Sequence, residues 1–131
     1  MNKILLVEDQ DDVRTVLTIA LSQHGYQVDS YADGESALEA IQSSWPDIAI
    51  VDSGLPGMSG LELGRTIEEQ TGDRKRVFKI LFTGSDSPDL QEQSRRSGFD
   101  LFVRKPISIN NFCEKLSQLS QLSQLSRESP E

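Results

Sequence analysis

The sequence predicts an α/β domain, a doubly wound, five-stranded parallel sheet with strand order 2-1-3-4-5. Two observations predict it. Short apolar runs alternate, five times over, with stretches in which apolar residues recur at i, i+3 and i+4. Such an alternation returns the chain through a helix after each strand, which leaves the strands parallel. The 131 residues match one domain with its own core.

Lys3 to Val7 is a first buried strand, ended by Glu8 and Asp9. Val13, Val16, Leu17, Ala20 and Leu21 then keep helical spacing, and Gly25 stands where a helix stops. Tyr26 to Tyr31 is a second strand. Asp33 can cap a helix that buries Ala37, Leu38 and Ile41, and Trp45-Pro46 breaks it. Ile48 to Val51 run straight into Asp52, so a carboxylate closes the third strand. Gly54, Pro56, Gly57 and Gly60 make the next segment a loop.

Leu61, Leu63 and Ile67 mark a third helix, ended near Gly72. Val77 to Phe82 is the fourth strand, stopped by Thr83-Gly84. Ser85 to Ser97 is a fourth helix, the least firmly packed because Leu90 is its one strong apolar anchor. Phe99 to Val103 is the fifth strand, followed by Arg104-Lys105-Pro106. Ile109, Phe112, Cys113 and Leu116 give the last amphipathic helix. From Leu116 to Ser126 the sequence repeats Leu-Ser-Gln, a period of three that drifts about 60° per repeat around a helix. Residues 1–118 therefore read as the domain and 119–131 as a helical extension or disordered tail, unstructured from Arg127 onward.

A net charge of -8 argues against nucleic acid as a direct partner and suits a basic protein surface or a cation. Cys113 is the only cysteine, so no internal disulfide is possible. The amino terminus reaches Glu8-Asp9 too soon for a signal peptide, and no apolar run approaches the roughly 20 residues of a membrane span. The expectation is a cytoplasmic chain without a membrane partner.

The chemistry gathers at one rim. Glu8 and Asp9 end strand one, Asp52 ends strand three, Thr83 ends strand four and Lys105 follows strand five. In a 2-1-3-4-5 sheet, strands one and three are neighbours at the topological switch point, where ligands bind beyond the strands' carboxyl ends. Three carboxylates there repel one another and raise each other's pKa. With Lys105 they sum to about -2, which a divalent cation neutralises, and an open, all-oxygen site favours Mg²⁺. A hydroxyl, an ammonium and Mg²⁺ around one Asp form a receptacle for a phosphoryl group, with Asp52 as the nucleophile.

On Glu8-Asp9, Asp52, Pro56-Gly57-Met58-Ser59-Gly60, Thr83-Gly84, Phe102 and Lys105-Pro106, the sequence resembles the receiver domain of two-component response regulators over roughly residues 2–118. The resemblance implies the flavodoxin-like (βα)5 fold. It implies that Asp52 takes its phosphoryl group from a phosphohistidine of a sensor histidine kinase or histidine phosphotransfer protein. Asp9 and Asp52 would hold Mg²⁺ with the backbone carbonyl of Gly54, and Glu8 would act through water. Lys105 and Thr83 would bind the phosphoryl oxygens, Phe102 would change rotamer with Thr83, and the Lys105-Pro106 peptide would be cis. The surface of helix four, strand five and helix five would thereby be altered for partner binding. Such a domain catalyses only its own phosphotransfer and dephosphorylation, so it is not an enzyme acting on other substrates. Glu8 replaces the commoner Asp of the acid pair. Leu101 stands where relatives that dimerise through ion pairs often carry Asp.

Rival readings are weaker on specific residues. A haloacid-dehalogenase-like phosphohydrolase needs a second Asp two residues after the nucleophile, and that position is Gly54. A flavodoxin-like cofactor binder needs a phosphate-cradling loop after strand one, and that loop carries Glu8, Asp9, Asp11 and Asp12. A phosphorylation-independent scaffold has no need of the complete acceptor set. No output domain is visible, so the chain reads either as a single-domain regulator or as the receiver of a longer one.

Overall fold

Every residue of Ile48–Asp52 is buried, as a strand covered by helices on both faces must be. The computed structural model describes residues 3–85, 87–105 and 108–128, the segment 119–128 by its backbone alone. Among these residues five strands alternate with five helices. The strands are β1 (Lys3–Val7), β2 (Gln27–Tyr31), β3 (Ile48–Asp52), β4 (Phe78–Thr83) and β5 (Leu101–Arg104). The helices are α1 (Asp11–Gln23), α2 (Gly34–Ile41), α3 (Gly60–Gln70), α4 (Pro88–Arg96) and α5 (Ile109–Glu128). The strands are all parallel, in the expected order β2-β1-β3-β4-β5.

Alternation along the strands divides the core in two. Ile4, Leu6, Ile50, Ile80 and Phe82 pack with Leu17 and Leu21 of α1 and with Phe112, Cys113 and Leu116 of α5. Leu5, Val7, Ala49, Val51 and Leu81 pack with Ala37 and Ile41 of α2 and with Leu63 and Ile67 of α3. Asp33 caps α2, its carboxylate accepting from the Ser36 N–H at 2.7 Å. Ser59 and Glu62 form a reciprocal capping box on α3. Gly25 follows α1 at φ +92°, a conformation that side chains resist.

Some boundaries move for local reasons. Helix α4 begins at Pro88 because Pro88 suits a first helical position and the Ser87 hydroxyl accepts from the Leu90 N–H. Phe99 does not join β5, since its N–H closes the end of α4 on the Ser94 carbonyl at 3.0 Å. Strand β4 gains Thr83, whose carbonyl accepts from the Lys105 N–H at 2.6 Å. Helix α5 continues to Glu128, so Arg127 and Glu128 are helical against expectation. Ser, Gln and Leu interrupt a helix less than the Gly or Pro that would stop it. Residues 129–131 and the side chains of the Leu-Ser-Gln repeat from Leu119 lie outside the described residues.

Candidate functional site

Strand register assembles the rim. Val7 pairs with Val51, so the next residues, Glu8 and Asp52, emerge side by side from β1 and β3. Asp52 pairs with Phe82, which places Thr83 one step beyond it on β4. Glu8, Asp9 and Asp52 each offer a carboxylate oxygen, and these oxygens lie within 4.8 Å of one another. Glu8 is 1% and Asp52 7% exposed, whereas Asp9 faces solvent. Lys105 crosses from the β5 side to this group. Its Nζ lies 3.1 Å from Glu8 Oε1 and 3.4 Å from Asp52 Oδ2.

Backbone groups hold the other carboxylate oxygens. The Gln10 N–H donates to Glu8 Oε2 at 3.1 Å, and the Gly54 N–H donates to Asp52 Oδ1 at 3.2 Å. Gly54 does not have a positive φ, so the loop imposes no left-handed conformation there. Burial raises the Glu8 pKa above the usual carboxylate value, against the Gln10 N–H and the Lys105 ammonium, with the Asp52 charge adding to the rise. For Lys105, burial alone lowers the pKa, but the carboxylates of Glu8 and Asp52 outweigh it and the net shift is upward.

A raised carboxylate pKa means that the folded state favours the protonated form of Glu8 more than the unfolded state does. Its contribution is present below the unfolded value of 4.5 and is lost as pH rises through the folded pKa. Metal-free Glu8→Gln protein should therefore melt above wild type at pH 7, and the gap should close toward pH 4.5. Thermal unfolding in EDTA across this range checks it. A variant that melts below wild type at pH 7 would show that the Lys105 pairing outweighs the burial.

The structure brings Glu8, Asp9, Asp52 and Lys105 together, with Gly54 bonded to Asp52 through its N–H. Thr83 is buried, and its hydroxyl oxygen is bonded by Ser53 and Ser85. Phe102 is half-buried and packs on the core shared with α2 and α3. The expected cis peptide involves Pro106, which lies outside the described residues. Two neighbours of the site were not legible in advance. Ser53 donates its hydroxyl to Thr83, and Arg14 clamps the acidic loop by donating to the Glu8 carbonyl at 2.9 Å and pairing with Asp11. The i, i+3 spacing of Asp11 and Arg14 was the available signal for the second.

The sequence matches the family model described as the response regulator receiver domain over residues 4–117. Among curated proteins it is 34% identical to the CAI-1 autoinducer sensor kinase/phosphatase CqsS of Vibrio cholerae, over 88% of this chain and 17% of that protein. It is 34% identical to the transcriptional regulatory protein AfsQ1 of Streptomyces coelicolor, over 82% of this chain and 46% of that protein. The chain thus spans half or less of the length of these relatives. Among solved structures, chemotaxis protein CheY4 of Vibrio cholerae superposes with a TM-score of 0.83 at 27% identity, over 90% of this chain and 98% of that one. A CheY-like receiver domain protein of Methanospirillum hungatei superposes with a TM-score of 0.82 at 27% identity, over 98% and 99% of the two chains.

Proposed function

This chain belongs to the response regulator receiver domain family, and from that premise we propose that it is a signalling switch thrown by phosphorylation of Asp52. The observation that carries the reading is one carboxylate, at the end of the central strand, held between a paired ammonium and two further acids. The donor set fits Mg²⁺, being all oxygen, negatively charged and open to solvent at Asp9. Asp9, Asp52 and the Gly54 carbonyl would hold the ion, with Glu8 reached through water. Once bound, it would neutralise charge on the transferring phosphoryl oxygens.

An Asp52 oxygen attacks the phosphorus of a phosphohistidine on a sensor kinase or histidine phosphotransfer protein. The P–N bond breaks, the imidazole leaves with the electron pair, and an acyl phosphate remains on Asp52. Lys105 is already within 3.4 Å of Asp52 and turns its ammonium to the new oxygens. Thr83 donates its hydroxyl hydrogen to them. Phe102 follows Thr83, and the surface of α4, β5 and α5 changes for a downstream protein. Among the described residues no helix is long and apolar enough to cross a membrane. A cytoplasmic site of action accords with this reading. The test is phosphate uptake from acetyl phosphate, read by intact mass with and without Mg²⁺. Uptake that ignores Mg²⁺, or no uptake at all, would overturn it.

The lifetime of the acyl phosphate depends on the approach of water opposite the Asp52 oxygen. Gly54 offers no side chain there, and a Cβ on it would lie 4.0 Å from Asp52 Oδ1. Ser85 is small and exposed. Ser85→Tyr should slow loss of phosphate about tenfold, a barrier change of about 1.4 kcal/mol, with Mg²⁺ affinity unchanged. Loss at the wild-type rate would mean that water does not pass Ser85.

A further inference from the structure

Thr83 is 1% exposed, and its Oγ1 is bonded twice. The Ser53 hydroxyl donates to it at 2.8 Å and the Ser85 backbone N–H at 3.1 Å. A hydroxyl oxygen carries two lone pairs and one hydrogen. Both lone pairs of Thr83 are therefore engaged, and the hydrogen is the part left to give. Ser53 itself is held in place, because its N–H donates to the Phe82 carbonyl at 3.0 Å and extends the β3–β4 ladder one residue past Asp52.

We propose that Ser53 is a positioning residue for the switch: its hydroxyl orients Thr83 so that Thr83 presents its hydrogen to the phosphoryl group on Asp52. The proposal rests on the reading of Thr83 as a phosphoryl contact. Donation into the Thr83 oxygen also strengthens its O–H as a donor, because successive hydrogen bonds polarise one another. Without Ser53, Thr83 keeps one bond, from the exposed Ser85. A threonine has more than one accessible χ1 well, and a single bond restrains the choice less than two. Ser53 is thus placed to act on the phosphorylated state through Thr83, without touching the phosphoryl group.

The experiment compares wild type with Ser53→Ala, Ser53→Thr, Thr83→Ala and the Ser53→Ala/Thr83→Ala double variant. The probe is beryllofluoride with Mg²⁺, a non-covalent stand-in for the phosphoryl group, with binding followed by calorimetry. A second readout is the χ1 of Thr83 in probe-free protein, from three-bond couplings to its methyl carbon. Ser53→Ala should weaken the probe about fivefold, the worth of one neutral hydrogen bond, and Ser53→Thr should restore affinity to within about twofold. In the Thr83→Ala background, Ser53→Ala should have no further effect. The probe-free couplings should report one rotamer in wild type and averaging in Ser53→Ala. An equal loss in both backgrounds, unchanged affinity in Ser53→Ala, or an unaltered Thr83 rotamer would each overturn the proposal. If Thr83→Ala binds the probe as wild type does, the reading of Thr83 as a contact fails as well. In that case averaging in probe-free Ser53→Ala would reduce Ser53 to a structural role.

Discussion

Asp52→Asn protein, incubated with acetyl phosphate and Mg²⁺, should gain no phosphate, while wild type gains one phosphoryl group by intact mass. The substitution keeps the shape of the side chain and removes the nucleophilic carboxylate. Losing a nucleophile slows such chemistry by a factor on the order of 10⁴ or more, so the signal should vanish rather than weaken. The fold should survive, because Lys105 keeps Glu8 as its partner and the Gly54 N–H can still bond the amide oxygen at position 52. One charge fewer among three crowded acids relieves repulsion. The variant should therefore melt no lower than wild type in the absence of metal, which separates lost chemistry from lost structure. Equal phosphate incorporation in the two proteins would remove Asp52 from the mechanism. Incorporation that moved to Asp9 would put the exposed acid in its place.

How much of this was legible beforehand depends on how local the cause is. Glu8, Asp9 and Asp52 could be placed together from the sequence because a parallel sheet puts all its carboxyl ends on one rim. The order of the strands then made β1 and β3 neighbours, as the Val7–Val51 pairing shows. The contact of Ser53 with Thr83 is not legible in the sequence because it depends on a side-chain rotamer and on the step from Phe82 to Thr83, neither of which periodicity reports. The start of β5, at Leu101 rather than Phe99, has a related cause. Phe99 is apolar and precedes a strand, but its N–H belongs to the helix behind it. Lys79 shows the limit most plainly. It lies inside the apolar run that marks β4, and nothing in its neighbours in sequence says how a charge is tolerated there. The answer comes from α3, on the far side of one core layer.

Glu68→Ala should destabilise the protein far more than Lys79→Met, although each removes one member of the same pair. Lys79 is wholly buried, and its ammonium is bonded to the Glu68 carboxylate and, at 3.1 Å, to the Val77 carbonyl. That bond holds the Glu68 carboxyl below the usual carboxylate range, with smaller help from Arg76. Removing Glu68 leaves a buried ammonium with one carbonyl for company. For a dry pair such a loss is about 3–5 kcal/mol. Glu68 is 41% exposed, so water can reach part of the gap, and about 2–3 kcal/mol is the expected loss. Lys79→Met removes the charge and keeps most of the volume, so it should fall within about 1 kcal/mol of wild type. The double variant should recover most of what Glu68→Ala loses. Glu68 contributes stability above its unfolded pKa of 4.5 and loses it as pH falls through the lower folded value. The gap between wild type and Glu68→Ala should accordingly narrow below pH 4.5. The pair lies near the start of β4, away from Thr83 at its other end, so phosphate uptake by folded Glu68→Ala should match wild type. Urea unfolding at pH 7 and pH 4 gives both numbers. Equal losses from the two single variants would mean that the ammonium is not what Glu68 is there to satisfy.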